Sequence, residues 1–283
     1  MLSFRMKSQM VVFAAIFSLT SVGLLGITST ASADTFLPYG TTYGVGWFDT
    51  NKTISNTDDD LMCWAAATSN ILTWGGWGTP TYSTEDAIFQ HYQDHWSDQG
   101  GIMEYGWSWW IDGINPSQGS NPPVDDVDGW SQVDVPGGVP ANGFWPQYSF
   151  DDYYHRTWQD DLAMSAIDNY LHAGYGTAIG IYTSGGGGHA LTAWGYEYDG
   201  TSGAYTGLIF SDSDDYSSVD GSDRDLWLSS LNYSAGKWYL GGSSWYIGEV
   251  QALQALAVVP VPAAVLLGIL GLGVAGIKLR KFA

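Results

Sequence analysis

The chain has 283 residues, with 9 Lys and Arg against 29 Asp and Glu, and one cysteine. That length fits one domain of about 200 residues with accessory segments, and a hydrophobic share of 45% excludes wholesale disorder. A net charge of −20 argues against a nucleic-acid partner, because phosphate binding needs clustered Lys and Arg. A single cysteine excludes an internal disulfide and any multi-cysteine zinc site.

Residues 1–33 read as a secretory signal peptide. Arg5 and Lys7 form a positive start, Val11 to Ile27 is an apolar run, and Ala31-Ser32-Ala33 is a small-residue cleavage site that would leave Asp34 first. An uncleaved membrane anchor is the alternative. The domain then spans 34–257. Phe36 to Thr50 is rich in glycine and aromatic residues and reads as extended chain. Leu61 to Trp74 favours helix through Ala65-Ala66-Ala67, with Asp60 or a neighbour as N-cap and Gly75-Gly76 as the stop. Thr84 to Trp96 reads as a second helix. Gly100 to Ser149, dense in Gly, Pro, Asn and Trp, reads as long surface loops with short pieces of structure. Asp160 to Ala173 is a third helix stopped by Gly174. Strands follow at Ala178 to Tyr182, His189 to Gly195 and Tyr205 to Ser211, with one or two more between Trp238 and Val250. Helices first and antiparallel strands after suggest α+β.

Residues 258–283 read as a second address. Val259-Pro260-Val261-Pro262 precedes the apolar run Ala263 to Ile277 and the basic residues Lys278, Arg280 and Lys281, the pattern of a short membrane span with a stop signal. This tail resembles the PEP-CTERM sorting signals of Gram-negative bacteria, in a V-P-x-P variant without the Glu. The resemblance implies export, transient membrane anchoring and processing by an exosortase-type enzyme, leaving the protein anchored or extracellular. Between the two addresses only Lys52, Arg156, Arg224 and Lys237 are basic, four against 29 acids, a net of −25. Each of those cations therefore asks for a reason.

Cys63 is the lone cysteine and falls at a helix start, where first-turn N–H groups and the dipole favour a thiolate. Asp58, Asp59 and Asp60 oppose it, so a cationic partner is needed. A small buried hydrophobe is the plain alternative. His189 begins an apolar strand after four glycines and can face that helix start across a cleft. Asp212 ends the neighbouring strand, where a carboxylate can accept from the imidazole and fix its tautomer. Asp212, Asp214, Asp220, Asp223 and Asp225 also read as oxygen ligands for calcium, though not at EF-hand spacing. His91 and His95 are an i,i+4 pair without the acid of a zinc-peptidase helix. Trp107, Trp109, Trp110, Trp130 and Trp145 leave open a silent binding protein that stacks sugars or peptides on tryptophan-rich loops.

Order and spacing then resemble a family. Gly46-Trp47-Phe48-Asp49-Thr50-Asn51-Lys52-Thr53, Asp59-Asp60-Leu61-Met62-Cys63 and Ala65 through Trp74, followed by His189-Ala190-Leu191-Thr192-Ala193-Trp194-Gly195 and Ser211-Asp212-Ser213-Asp214, are similar to the IdeS/Mac family of streptococcal immunoglobulin-degrading cysteine endopeptidases. The resemblance implies a papain-like fold with an N-terminal helical part and a C-terminal antiparallel sheet. It implies Cys63 as nucleophile, His189 as base, Asp212 as orienter, Asp214 in support and Lys52 in the oxyanion hole. No metal or organic cofactor is implied, and the partner is a protein or peptide substrate. Lys52 fits because no Gln, the usual oxyanion donor of papain-like enzymes, stands between it and Cys63. As one side chain expected outside the core, its loss should leave the fold intact. Trp64 follows the cysteine where the streptococcal enzymes have Gly, and Gly100 to Ser149 matches nothing in them, so immunoglobulin specificity does not carry over. The silent binding protein is the first alternative to this reading, and a papain-fold amidase or transferase with the same chemistry is the second.

Overall fold

The computed structural model describes residues 33–38, 40–52, 59–96, 98, 100–113, 138–214 and 225–256. Both address segments lie outside this set, apart from Ala33. Among the described residues no helix is long and apolar enough to cross a membrane.

The architecture is α+β: helices packed on a closed antiparallel barrel. Strands β1 (Ala33–Phe36), β2 (Tyr154–Thr157), β3 (Tyr175–Tyr182), β4 (Gly188–Asp199), β5 (Tyr205–Ser211), β6 (Trp227–Ser234), β7 (Lys237–Leu240) and β8 (Tyr246–Gln254) form one sheet. It runs β4-β3-β8-β7-β6-β5, and β5 pairs back onto β4 to close it; β1 adds to β4 and β2 to β8. Closure removes the free edges of the six barrel strands. All six contribute to one apolar cluster, with Ile181, Leu191, Phe210, Leu231, Leu240 and Val250 among its members. That cluster fills the barrel interior. Helix α4 (Ala163–His172) packs Met164, Ile167 and Leu171 into it.

The opposite sheet face carries Ala178, Ala190, Trp194, Ile209 and Leu253, and helices α1 (Cys63–Trp74), α2 (Glu85–His95) and α3 (Met103–Asp112) cover it. Trp64 to Leu72 are buried without a break, so α1 runs through the middle of this core. The small alanines let neighbours approach it from every side. Buried Thr68 and Ser69 return their hydroxyl protons to Trp64 O and Ala65 O at 2.7 and 2.8 Å, which satisfies them inside the helix. A Cβ at Gly106 would stand 3.1 Å from Thr68 and Trp64, so a glycine in α3 allows the close crossing on α1.

Several expectations are corrected here. Helix α1 starts at Cys63 rather than Leu61, and its N-cap is Met62, which makes no side-chain cap bond; Asp60 is exposed and not the cap. Gly75 does cap its C-terminus. Helix α2 begins as expected, with Thr84 Oγ1 accepting from Ala87 N at 3.2 Å. The stretch Gly100 to Ser149 is not all surface loop, because α3 lies within it. Trp107, Trp109 and Trp110 are core residues there, and Trp110 and Trp145 each donate an indole N–H to Trp77 O at 2.8 Å. These side chains are used in packing, which removes them as stacking surfaces; Trp130 lies outside the described residues. Asp160 to Leu162 is a 3-10 turn, and α4 follows it. Strands β1, β2 and β6 carry no alternation strong enough to mark them in the sequence.

Candidate active site

Cys63 is the first residue of α1 and is partly exposed. The loop before it is held from two sides: Leu61 N donates to Asp98 Oδ1 at 2.7 Å, and Gln93 Nε2 donates to Asp59 Oδ2 at 2.9 Å. Met62 N donates to Asp59 O, and Ala65 N and Ala66 N donate to Met62 O at 3.0 and 3.1 Å, which fixes the first turn at Cys63.

Across the cleft, the second residue of β4 is His189. The hairpin before it, through Gly185, Gly186 and Gly187, is closed by Thr183 N donating to Gly187 O at 3.0 Å. His189 Nε2 donates to Asp212 Oδ1 at 2.8 Å. Asp212 follows β5, which pairs with β4 through Thr192 and Ser211, so the sheet itself sets base and carboxylate side by side. Asp214 N also donates to Asp212 Oδ1, at 3.1 Å. Since Nε2 is committed to Asp212, Nδ1 is the nitrogen left for the hydrogen bond between His189 and Cys63. Asp214 Oδ2 stands 3.6 Å from the same Nδ1. Burial pulls the imidazolium down, but the hydrogen bonds and charges of Asp212 and Cys63 outweigh it and hold His189 up at about 10.

Lys52 joins this group through Asp214, whose Oδ1 is ion-paired to Nζ. Its side chain is 1% exposed. The expectation that Lys52 lies outside the core is therefore corrected: it is a buried cation with a carboxylate partner. One of its ammonium protons serves Asp214 Oδ1.

The segment that carries Lys52 is fastened by residues the sequence did not single out. Thr50 Oγ1 donates to Asn70 Oδ1 at 2.7 Å, and Asn70 Nδ2 donates to Thr192 Oγ1 at 3.0 Å. One buried asparagine thus joins the Lys52 segment, the Cys63 helix and the His189 strand. Ser211 Oγ donates to Phe48 O at 2.9 Å, and Ser213 Oγ donates to Asp49 Oδ1 at 3.1 Å. A buried polar residue two helical turns after a nucleophile was the available signal.

A second polar group lies on the cleft wall. Arg156 is ion-paired to Glu104, and its Nη2 stands 2.9 Å from Glu249 Oε1. Tyr182 OH donates to Glu249 Oε2 at 2.9 Å, and Gln251 Nε2 donates to Oε1. Burial pushes the Glu249 carboxyl up against the pull of Arg156. The Tyr182 ring lies against Gly180, Gly188 and Gly248 on three adjacent strands, where any Cβ would meet it at 2.7 to 3.2 Å. The cleft holds a cavity of about 860 Å³ bounded by Cys63, His189, Asp214, Met103, Tyr182 and Glu249.

The structure brings Cys63, His189, Asp212, Asp214 and Lys52 together, as five residues from four separate stretches of chain. It does not make a metal pair of His91 and His95: His91 Nε2 donates to Gly138 O at 2.5 Å, and His95 Nδ1 faces His91 O. Among the described residues no group of three or more His, Cys, Asp or Glu could hold a metal ion. Asp220 and Asp223 of the calcium reading lie outside them.

A family model described as Mac 1 matches residues 22–90. That stretch holds Lys52 and Cys63 and ends within α2; His189, Asp212 and Asp214 lie beyond it. No curated protein matches the chain.

Proposed function

We propose that the chain is an exported cysteine endopeptidase of papain-like architecture, with Cys63 as nucleophile. The observation that carries this reading is the linked set Cys63–His189–Asp212 across the cleft, with His189 held up at about 10. A raised imidazolium is charged at neutral pH and stabilises a thiolate beside it. Thiolate Sγ attacks the peptide carbonyl carbon, and the carbonyl oxygen becomes an oxyanion between the Cys63 N–H and a proton of Lys52 Nζ. The imidazolium then gives its Nδ1 proton to the leaving amine as the C–N bond breaks. Neutral His189 next takes a proton from water, which attacks the thioester and releases the acid and the thiol. Asp212 fixes the ring and stabilises its charge throughout. The match to Mac 1 over residues 22–90 supports the nucleophile end of this assignment.

The test is thiol chemistry followed by products. Iodoacetamide should alkylate Cys63 fast near pH 6 and much more slowly in His189→Ala; equally slow rates in both would sink the pairing. Incubation with a peptide mixture should release new N-termini, and Cys63→Ala should release none. An amidase would free ammonia instead. Export follows the two address segments: removing residues 259–283 should release membrane-held protein into the soluble fraction. Recovery of soluble protein with an intact C-terminus would overturn the sorting part.

A further inference from the structure

The cleft is chemically two-sided. Adjacent strand residues face opposite sides of a sheet, and at the end of β3 Tyr182 borders the cavity of about 860 Å³ while Ile181 borders a second of about 390 Å³. The two share Gly188, His189 and Asp214 and otherwise differ in lining. The larger lies between the barrel and the helices. Ile102, Met103 and Tyr105 wall it on the helix side, and Glu249 sits on the barrel side beneath Tyr182. The smaller opens at the mouth of the barrel, with Leu191, Phe210, Leu240 and Trp245 around it.

The Glu249 end is acidic. Glu104 and Glu249 share one guanidinium, so that trio carries one uncompensated negative charge. Glu249 Oε2 receives one proton, from Tyr182, and a carboxylate oxygen has room for a second. Glu249 borders the cavity, so this end of the cleft favours a cationic N–H donor. The apolar wall opposite suits the methylene stem of a long basic side chain. The net charge of −25 between the address segments draws such substrates in.

We propose that the cleft selects peptides carrying a lysine or arginine on one side of the scissile bond, reaching Glu249, and an apolar residue on the other side, seated beside Trp245. The substrate class rests on the peptidase reading; the two subsites can be measured without it. In the full-length Cys63→Ala protein, fluorescence anisotropy should show a peptide with lysine binding at least tenfold tighter than the same peptide with norleucine. Glu249→Gln in that background should cut the ratio below threefold, and Trp245→Ala should remove the preference for leucine over alanine on the other side. Tyr182→Phe keeps the ring on its glycine floor and frees Oε2, so its lysine preference should be at least that of the parent, which holds the test open if Glu249→Gln fails to fold. Equal binding of the lysine and norleucine peptides would overturn the proposal. So would a lysine preference that survives Glu249→Gln and vanishes with salt, since that is long-range attraction alone. If wild-type protein leaves every peptide intact while the preferences hold in Cys63→Ala, the subsites stand and the peptidase reading falls.

Discussion

Two of the chain's few cations, Lys52 buried and Arg156 half-buried, stand beside the same cleft, and they are used in opposite ways. Lys52 is fully buried and, among the described residues, meets one carboxylate, on Asp214. Arg156 spans Glu104 on α3 and Glu249 on β8 from its place on β2, giving one terminal nitrogen to each carboxylate. A compact ammonium beside a nucleophile suits a charge that appears only during a reaction, whereas a planar fork suits a permanent brace between elements. The number of carboxylates each cation meets, one for Lys52 and two for Arg156, separates the two among the described residues.

The sharpest break in that comparison is upstream of both cations. Asp212→Ala should lower kcat/KM by about 10² to 10⁴, because no acceptor is left to orient His189 through Nε2 or to stabilise its charge. It should also move the alkaline limb of the pH–rate profile. His189 is charged at all pH below about 10 and loses its proton above it, so activity should fall through that value in the parent and at a lower pH in the variant. A steady-state pH series reads both.

Lys52→Ala comes next, with kcat reduced by about 10² to 10³ and KM little changed. Because the side chain is buried against Asp214, the variant should also lose about 2 kcal/mol of stability, read by urea melts. Lys52→Met with Asp214→Asn should recover stability and leave the rate low. Recovery of both would make Lys52 a brace like Arg156.

Asn70→Ala should slow kcat by about tenfold, the scale of 1 to 2 kcal/mol expected for one buried hydrogen-bonded link that holds other groups in place. Alkylation of Cys63 should change less than turnover, because the Lys52 segment moves while His189 stays on its strand.

Arg156→Met should act mainly on the fold. It leaves Glu104 and Glu249 facing each other without a counter-charge, a loss of about 3 kcal/mol. The Glu249 carboxyl, already raised by burial, would rise further, so the deficit should be largest at neutral pH and shrink as acid protonates it. Melting temperatures at pH 7 and pH 5 check the sign.

The chemistry was more legible in the sequence than the architecture. A solitary cysteine at a helix start and a histidine opening an apolar strand carry strong local signals, and β4 and β5 deliver Asp212 beside His189 because they are sequential strands. The core was harder to read. Trp107, Trp109 and Trp110 sit in a glycine-dense stretch whose composition reads as loop, and only packing against Thr68 and Trp77 makes it helical. Lys52 looked like a surface residue because its partner stands at position 214, across a separation that no local pattern spans. Glu104, Arg156 and Glu249 were hidden for the same reason.

Leu256 N donates to Gly75 O at 2.9 Å, so the last described residue is fastened to the far end of the nucleophile helix. That helix has twelve residues, a length of about 18 Å at the usual rise. The last strand and the nucleophile helix are thereby locked end to end: a pull on Leu256 is carried to the end of α1 opposite Cys63, so loosening of the chain there would be felt along the whole helix.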